Sequence, residues 1–273
     1  NTGDFDPEKD TVAYDELGSV DRYMMVRLNQ IIKQVKTAYD AYDFATVEKT
    51  ISSFLVNDLS AFYLDVAKDV VYIEAKDDPK RRGMQTVMFA ALLTVTKLIT
   101  PILPHTAEEV WPYLKQPEAY AALADMPEAE QFDDESQLLD IWSGFMDFRS
   151  EVQKALELAR DNKVIGKSLE AAVTVYPSEP VRDMLDDVDA NVMQLLITSH
   201  FEIAPATTKA PADAEQFDDM AVVVKHADGE VCPRCRMVRT DIGTDPKLPQ
   251  LCSRCAANVE ANFPDAVTNG FDK

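Results

Sequence analysis

Cys232-Pro-Arg-Cys235, sixteen residues, and Cys252-Ser-Arg-Cys255 contain all four cysteines of this 273-residue chain. Two Cys-x-x-Cys pairs at this separation suit one tetrahedral ion. A two-residue spacer lets both sulfurs of a pair face one point, and the long spacer folds back to deliver the second pair. Four soft thiolates select zinc. Such a site is closed, with no open position for activating water, so its role is structural. Disulfides are the competing reading, but no secretory segment or cysteine-rich scaffold accompanies the pairs. A redox Cys-x-x-Cys needs one pair on a βαβ unit, not two in a loop-rich tail.

Working outward, composition sets bounds. The formal net charge is −21, from 27 Lys and Arg against 48 Asp and Glu. Taken alone, this argues against general binding to nucleic acid or to an anionic membrane, though it leaves room for a local basic patch. No apolar run is long and charge-free enough to span a bilayer. The chain opens on Asn1 with no signal-like stretch behind it. A cytoplasmic, monomeric piece of a longer protein is expected.

Helical periodicity dominates the first half. Leu17, Val20, Tyr23, Met24, Leu28, Ile31, Ile32 and Val35 form an apolar stripe, interrupted by Arg27, on a helix running to about Tyr42. Asp43 caps a second helix that carries Val47, Ile51, Phe54, Leu55, Leu59, Phe62, Tyr63, Val66 and Val70, and Asp77-Asp78-Pro79 breaks it. Residues 80–100 read as a buried third helix. Thr106 with Glu109 reads as a capping box opening a short fourth helix. These four helices predict a bundle over 1–130.

Residues 115–136 are Pro-, Ala- and acid-rich and read as a surface loop. A helix from Ser136 to Asp161, a strand at 169–176, a helix at 180–197 and a strand at His200–Ala204 predict a small α/β module over 131–205. The third expected segment, 206–273, holds a strand at Met220–His226, an Asp228-Gly229 hairpin signal and the cysteines. The expected class is mainly α: a helical bundle, an α/β module and a zinc-ribbon-like domain. Phosphate-cradling glycine loops, G-x-S-x-G and H-E-x-x-H are absent, and with three histidines a His-based catalytic centre has few candidates.

Several blocks resemble bacterial isoleucyl-tRNA synthetases. They are Asp21-Arg22-Tyr23, Arg27-Leu28, Asn57-Asp58-Leu59-Ser60-Ala61-Phe62-Tyr63-Leu64-Asp65, Arg81-Arg82-Gly83-Met84-Gln85-Thr86-Val87, Pro104-His105-Thr106-Ala107-Glu108-Glu109-Val110-Trp111 and Val164-Ile165-Gly166-Lys167-Ser168. His226-Ala227-Asp228-Gly229 ahead of the first cysteine pair is the most specific of them. The resemblance spans nearly the whole chain. It implies an anticodon-binding bundle and a C-terminal zinc domain that hold the anticodon stem-loop of isoleucine tRNA. Catalytic and editing domains elsewhere would be partners, and ATP would be handled there. Where the family usually carries Trp after the second cysteine and an aromatic two residues later, this chain has Arg236 and Val238.

Candidate RNA-contacting residues follow from charge and position. Arg234 and Arg236 lie beside the cysteines, Arg22 and Arg27 on the first helix, Arg81 and Arg82 at the start of the third, and Lys163 and Lys167 flank a glycine turn. Guanidiniums can stack on unpaired bases and grip phosphates. The bland readings are neutralisation of the thiolate centre, ion pairs at the bundle edge and solvated turn lysines. Acidic runs at 133–135 and 186–189 read as solvated surface. Two competing functions are a zinc-stapled acidic module that docks proteins without tRNA affinity, and a DNA-repair-type zinc finger, which would need an N-terminal catalytic amine and a lesion pocket.

Overall fold

The computed structural model describes residues 2–269. Asn1, in the first expected segment, and residues 270–273, in the third, lie outside the described residues. The chain is mainly helical with a small sheet. It divides into two compact units, Asn1–Val71 with Lys76–Leu139, and Tyr72–Ala75 with Asp140–Lys273.

In the first unit, α1 (Ser19–Asp40) buries Val20, Tyr23, Met24, Leu28, Ile31, Ile32 and Val35, the stripe expected of it. Asp43 caps α2 (Phe44–Ser53) by accepting the Thr46 amide at 3.0 Å. The single helix expected up to the Asp77-Asp78-Pro79 break is not one regular α-helix. Phe54–Tyr63 winds as a π-helix before α3 (Leu64–Val71) resumes the α form. The wider turn buries Phe54, Leu59, Phe62 and Tyr63 and turns Leu55, which the α-period had placed on the buried stripe, towards solvent.

Asp78 accepts the Lys80 and Arg81 amides and caps α4 (Pro79–Ile99), with Pro79 in its first turn. The expected capping box at Thr106 is absent. Pro104 starts α5 (Pro104–Val110) two residues earlier because its fixed φ already suits a helix, which leaves Thr106 inside the first turn. The stretch after it is more than a surface loop. Ala121 packs with Ala107, Trp111 and Leu114, and the Trp111 indole donates to the Glu118 carbonyl at 2.8 Å. Asn29 of α1 clamps residue 130 twice, donating to its carbonyl at 2.9 Å and accepting from its amide at 3.1 Å. One buried acid stands out. The Asp21 carboxylate accepts from the Tyr63 hydroxyl at 2.6 Å, and burial pushes its pKa up to about 7 against that hydrogen bond.

The unit boundary passes through α6 (Glu135–Asp161). In the second unit, β1 (Ala171–Pro177) leads into α7 (Glu179–Asp187) and α8 (Val192–Leu196), which return the chain to β2 (His200–Ile203), parallel to β1. β3 (Glu215–Gln216) and β4 (Met220–His226) follow, and the sheet order is β2-β1-β4-β3. Strands on both sides of residue 205 therefore share one sheet. Trp142, Phe145 and Phe148 of α6 lie in the core, with Phe148 edge-on to Phe201.

Asp228-Gly229 does not form the expected hairpin from β4. β5 (Glu230–Val231) pairs instead with β6 (Val238–Arg239), and the first cysteine pair occupies the loop between them. Gly229 has φ +116°, and a Cβ there would lie 2.3 Å from the Arg239 carbonyl oxygen. Glycine is needed because the backbones nearly touch. The second pair enters α9 (Ser253–Asn262), and α10 (Pro264–Asn269) ends the described chain.

Candidate metal centre and its basic surroundings

The β5–β6 loop and the first turn of α9 bring Cys232, Cys235, Cys252 and Cys255 together. All four are buried, and their sulfurs lie within 4.8 Å of one another. Zinc–sulfur bonds of about 2.3 Å in a tetrahedron put neighbouring sulfurs about 3.8 Å apart. The Cys235 and Cys252 sulfurs are 3.9 Å apart. The donor set therefore fits a tetrahedral thiophilic cation. Burial pushes the Cys252 thiol up, while hydrogen bonding from Cys235 pulls Cys255 down. Met237, Leu248, Leu251, Ala256, Val259 and Ile73 close a small apolar core around the sulfurs.

Four of the five cations near the cysteines are engaged within this unit. Arg234 Nη2 donates to the Ile73 carbonyl at 2.6 Å and to Asn258 Oδ1 at 3.1 Å, and its Nη1 lies 3.9 Å from Cys255 Sγ. It ties residues 72–75 to the cysteine core and places positive charge beside a thiolate. Arg239 pairs with Asp241 at 3.1 Å, Lys247 with Glu260 at 2.8 Å, and Arg254 approaches Glu74 at 3.9 Å. Arg236 alone of the five makes no ion pair or side-chain hydrogen bond among the described residues. It is exposed in the left-handed region at φ +67°, with its amide bonded to the Cys232 carbonyl at 2.8 Å.

The arginines of the first unit are similarly engaged. Arg22 reaches Asp134 at 2.9 Å, and Asp134 also accepts from the Tyr14 hydroxyl at 2.6 Å. The acidic run at 133–135 is therefore not simply solvated surface: Asp134 serves as a structural anchor, and Glu135 faces Lys33 at 3.4 Å. Arg27 forks onto Asp58 at 2.9 and 3.3 Å. Arg81 binds Asp4 at 2.8 Å and the Val71 and Lys76 carbonyls, and holds the Asp4 carboxyl down at about 2. Arg82 is buried among Asp10, Asp77 and the Gln85 side chain. Lys163 and Lys167 are exposed. The turn between them is already filled, because Glu170 accepts the Gly166 amide at 2.7 Å and the Lys167 amide at 3.2 Å. Those amide bonds hold the Glu170 pKa below its ordinary value.

The sequence reading missed Asn258, Glu74 and Glu170. Each is an ordinary polar residue whose importance depends on a partner brought close by folding, and no spacing rule marks it. The cysteine pairs were legible because their chemistry depends on a short, fixed spacing.

The family profile described as "Anticodon-binding domain of tRNA ligase" matches residues 21–175, more than half of the chain. The chain belongs to that family. A second profile, "Zinc finger found in FPG and IleRS", matches residues 229–258 and so covers both cysteine pairs. All 273 residues are 98% identical to part of the isoleucine–tRNA ligase of Lacticaseibacillus paracasei. They are 60% identical to part of the ligase of Latilactobacillus sakei and 55% to that of Enterococcus faecalis. The chain spans 29% of the length of each of these relatives. The profile match and the sulfur geometry together make the cysteine cluster a structural zinc site, in which Cys232, Cys235, Cys252 and Cys255 would hold the ion. Among the described residues, no helix is long and apolar enough to cross a membrane.

Proposed function

We propose that this chain holds the anticodon stem-loop of isoleucine tRNA for an ATP-dependent isoleucine–tRNA ligase, whose catalytic and editing domains are its partners in the same polypeptide. The observation that carries this reading is the match, over all 273 residues, to isoleucine–tRNA ligases. The site is cytoplasmic and the working unit a monomer.

The charge distribution supports a division of labour. Arg236, Lys163 and Lys167 are exposed cations without ion pairs among the described residues, so they are the ones able to meet phosphates or an unpaired base without first breaking an internal bond. Arg22, Arg81, Arg82 and Arg234 act by positioning, because each already holds a carboxylate, carbonyl or amide oxygen inside the fold and would have to release it to meet RNA. At Arg236 a planar guanidinium stands where the family usually has an indole, and it can stack on a base as well as carry charge. With a net charge of −21, the chain must confine its attraction for RNA to such patches.

The test is equilibrium binding of isoleucine tRNA, and of the same tRNA with an exchanged anticodon, at low and moderate salt. The expected result is tighter binding to the native anticodon, weakening as salt rises. Arg236→Ala should reduce that preference, and Lys163→Ala with Lys167→Ala should weaken both tRNAs equally. Absence of binding to either tRNA by the zinc-loaded protein would refute the reading and favour a protein-docking module.

A further inference from the structure

A short excursion joins α3 to α4, and its residues Tyr72–Ala75 belong to the second unit. Ile73 is 4% exposed and is, among the described residues, the one buried member of the cysteine core that lies outside 232–259. Arg81 pins the ends of the excursion, donating to the Val71 carbonyl at 3.1 Å and to the Lys76 carbonyl at 3.1 Å. Its middle is gripped by side chains from the cysteine loops. Arg234 donates to the Ile73 carbonyl across 161 residues of sequence. Asn258 donates to the Glu74 carboxylate at 3.4 Å, and Arg254 lies 3.9 Å from the same carboxylate.

The three gripping side chains share a placement. Arg234 lies between the cysteines of the first pair, Arg254 between those of the second, and Asn258 one helical turn beyond Cys255 on α9. Asn258 also accepts from Arg234 at 3.1 Å, and Arg234 Nη1 approaches Cys255 Sγ at 3.9 Å. The hold on Ile73 from the first loop and the hold on Glu74 from the second are therefore one connected grip. It stays connected only while the two cysteine pairs are kept together. The cysteines are free thiols rather than disulfides, and the apolar core around them is small. A shared ion is thus the strongest tie between the pairs.

We propose that Arg234, Arg254 and Asn258 form a metal-assembled clamp, which makes the order of residues 72–75 depend on zinc occupancy. Loss of the ion separates Arg234 from Asn258 and releases Ile73 and Glu74, while Arg81 keeps both ends of the excursion pinned. The response is confined to those few residues. Linkage makes it reciprocal: by whatever factor the ion favours the seated excursion, the seated excursion favours the ion. Zinc affinity is thereby set in part by residues that precede the first cysteine by more than half the length of the chain. The clamp depends on zinc and the fold alone, whether or not the chain binds RNA.

The experiment is amide hydrogen exchange read by mass spectrometry on the full chain, zinc-loaded and after zinc removal, with zinc affinity measured by competition against a chromogenic chelator. Zinc removal should speed exchange at residues 72–75 several-fold and leave α1 unchanged. Arg234→Ala, checked for bound zinc by metal analysis, should show the same fast exchange at 72–75 while 252–259 stay protected. It should also hold zinc about tenfold less tightly, as loss of a group supporting metal ligands does. Glu74→Ala leaves every cysteine and the apolar core in place and should weaken zinc binding several-fold, which a purely local staple does not require. The clamp is refuted if zinc removal leaves exchange at 72–75 unchanged, or if zinc-loaded Arg234→Ala protects these residues like the parent. It is equally refuted if Glu74→Ala holds zinc as tightly as the parent. Should Arg234→Ala bind no zinc, the Glu74→Ala competition decides the matter by itself.

Discussion

Replacing Asp21 with Asn tests the physics of the bundle more sharply than removing an apolar side chain would. Asp21 is 4% exposed, its carboxylate accepts from Tyr63, and a Cβ on Gly83 would lie 3.2 Å from its Oδ2. Burial raises its pKa from 3.8 to about 7, only partly countered by the Tyr63 hydroxyl. A raised acid pKa means that between these values the folded state binds a proton the unfolded state lacks. Stability from this group is therefore greatest below pH 4, falls as pH rises and levels off above pH 7. The full excursion is ~4 kcal/mol at 1.36 kcal/mol per pH unit. Asn keeps the acceptor for Tyr63 and cannot ionise. Asp21→Asn should therefore be more stable than the parent at pH 8, by up to ~4 kcal/mol or about 10 °C in melting temperature. The two should converge near pH 4. The assay is paired thermal and urea unfolding from pH 4 to 8, following circular dichroism. If the variant is less stable at every pH, with an unchanged slope, Asp21 is ionised and well solvated in the fold and the reasoning fails.

Two further outcomes concern the zinc unit. Metal analysis should find one zinc per chain, and chelation or Cys255→Ser should open residues 229–258 to protease while the first unit keeps its melting transition, because the apolar core around the sulfurs is small. Retention of protease resistance without metal would refute the structural role. Gly229→Ala should cost about 3 kcal/mol or more and weaken zinc retention in a competition with a chromogenic chelator, since its Cβ would overlap the Arg239 backbone. Retention equal to that of the parent would show that the β5–β6 pairing can shift at little cost.

The parts of this chain that could be read from sequence are those governed by short-range rules. The α1 stripe, the Asp43 cap and the four cysteines each express a spacing that follows from helix pitch or ligand geometry, and each is found where expected. The π-helix at Phe54–Tyr63 escaped because its apolar residues also fit an α-helical stripe, and only the outward turn of Leu55 distinguishes the two. The arginines show the harder limit. Arg22, Arg27 and Arg81 are indistinguishable in sequence from exposed RNA-binding side chains, yet each meets an acid between 31 and 112 residues away in the chain. A cation can reach RNA readily only when no such acid holds it. The identity of the free cations is therefore a property of the whole fold, which is why Lys163, Lys167 and Arg236 are left without ion pairs among the described residues while Arg22, Arg27, Arg81, Arg82 and Arg234 hold the protein together.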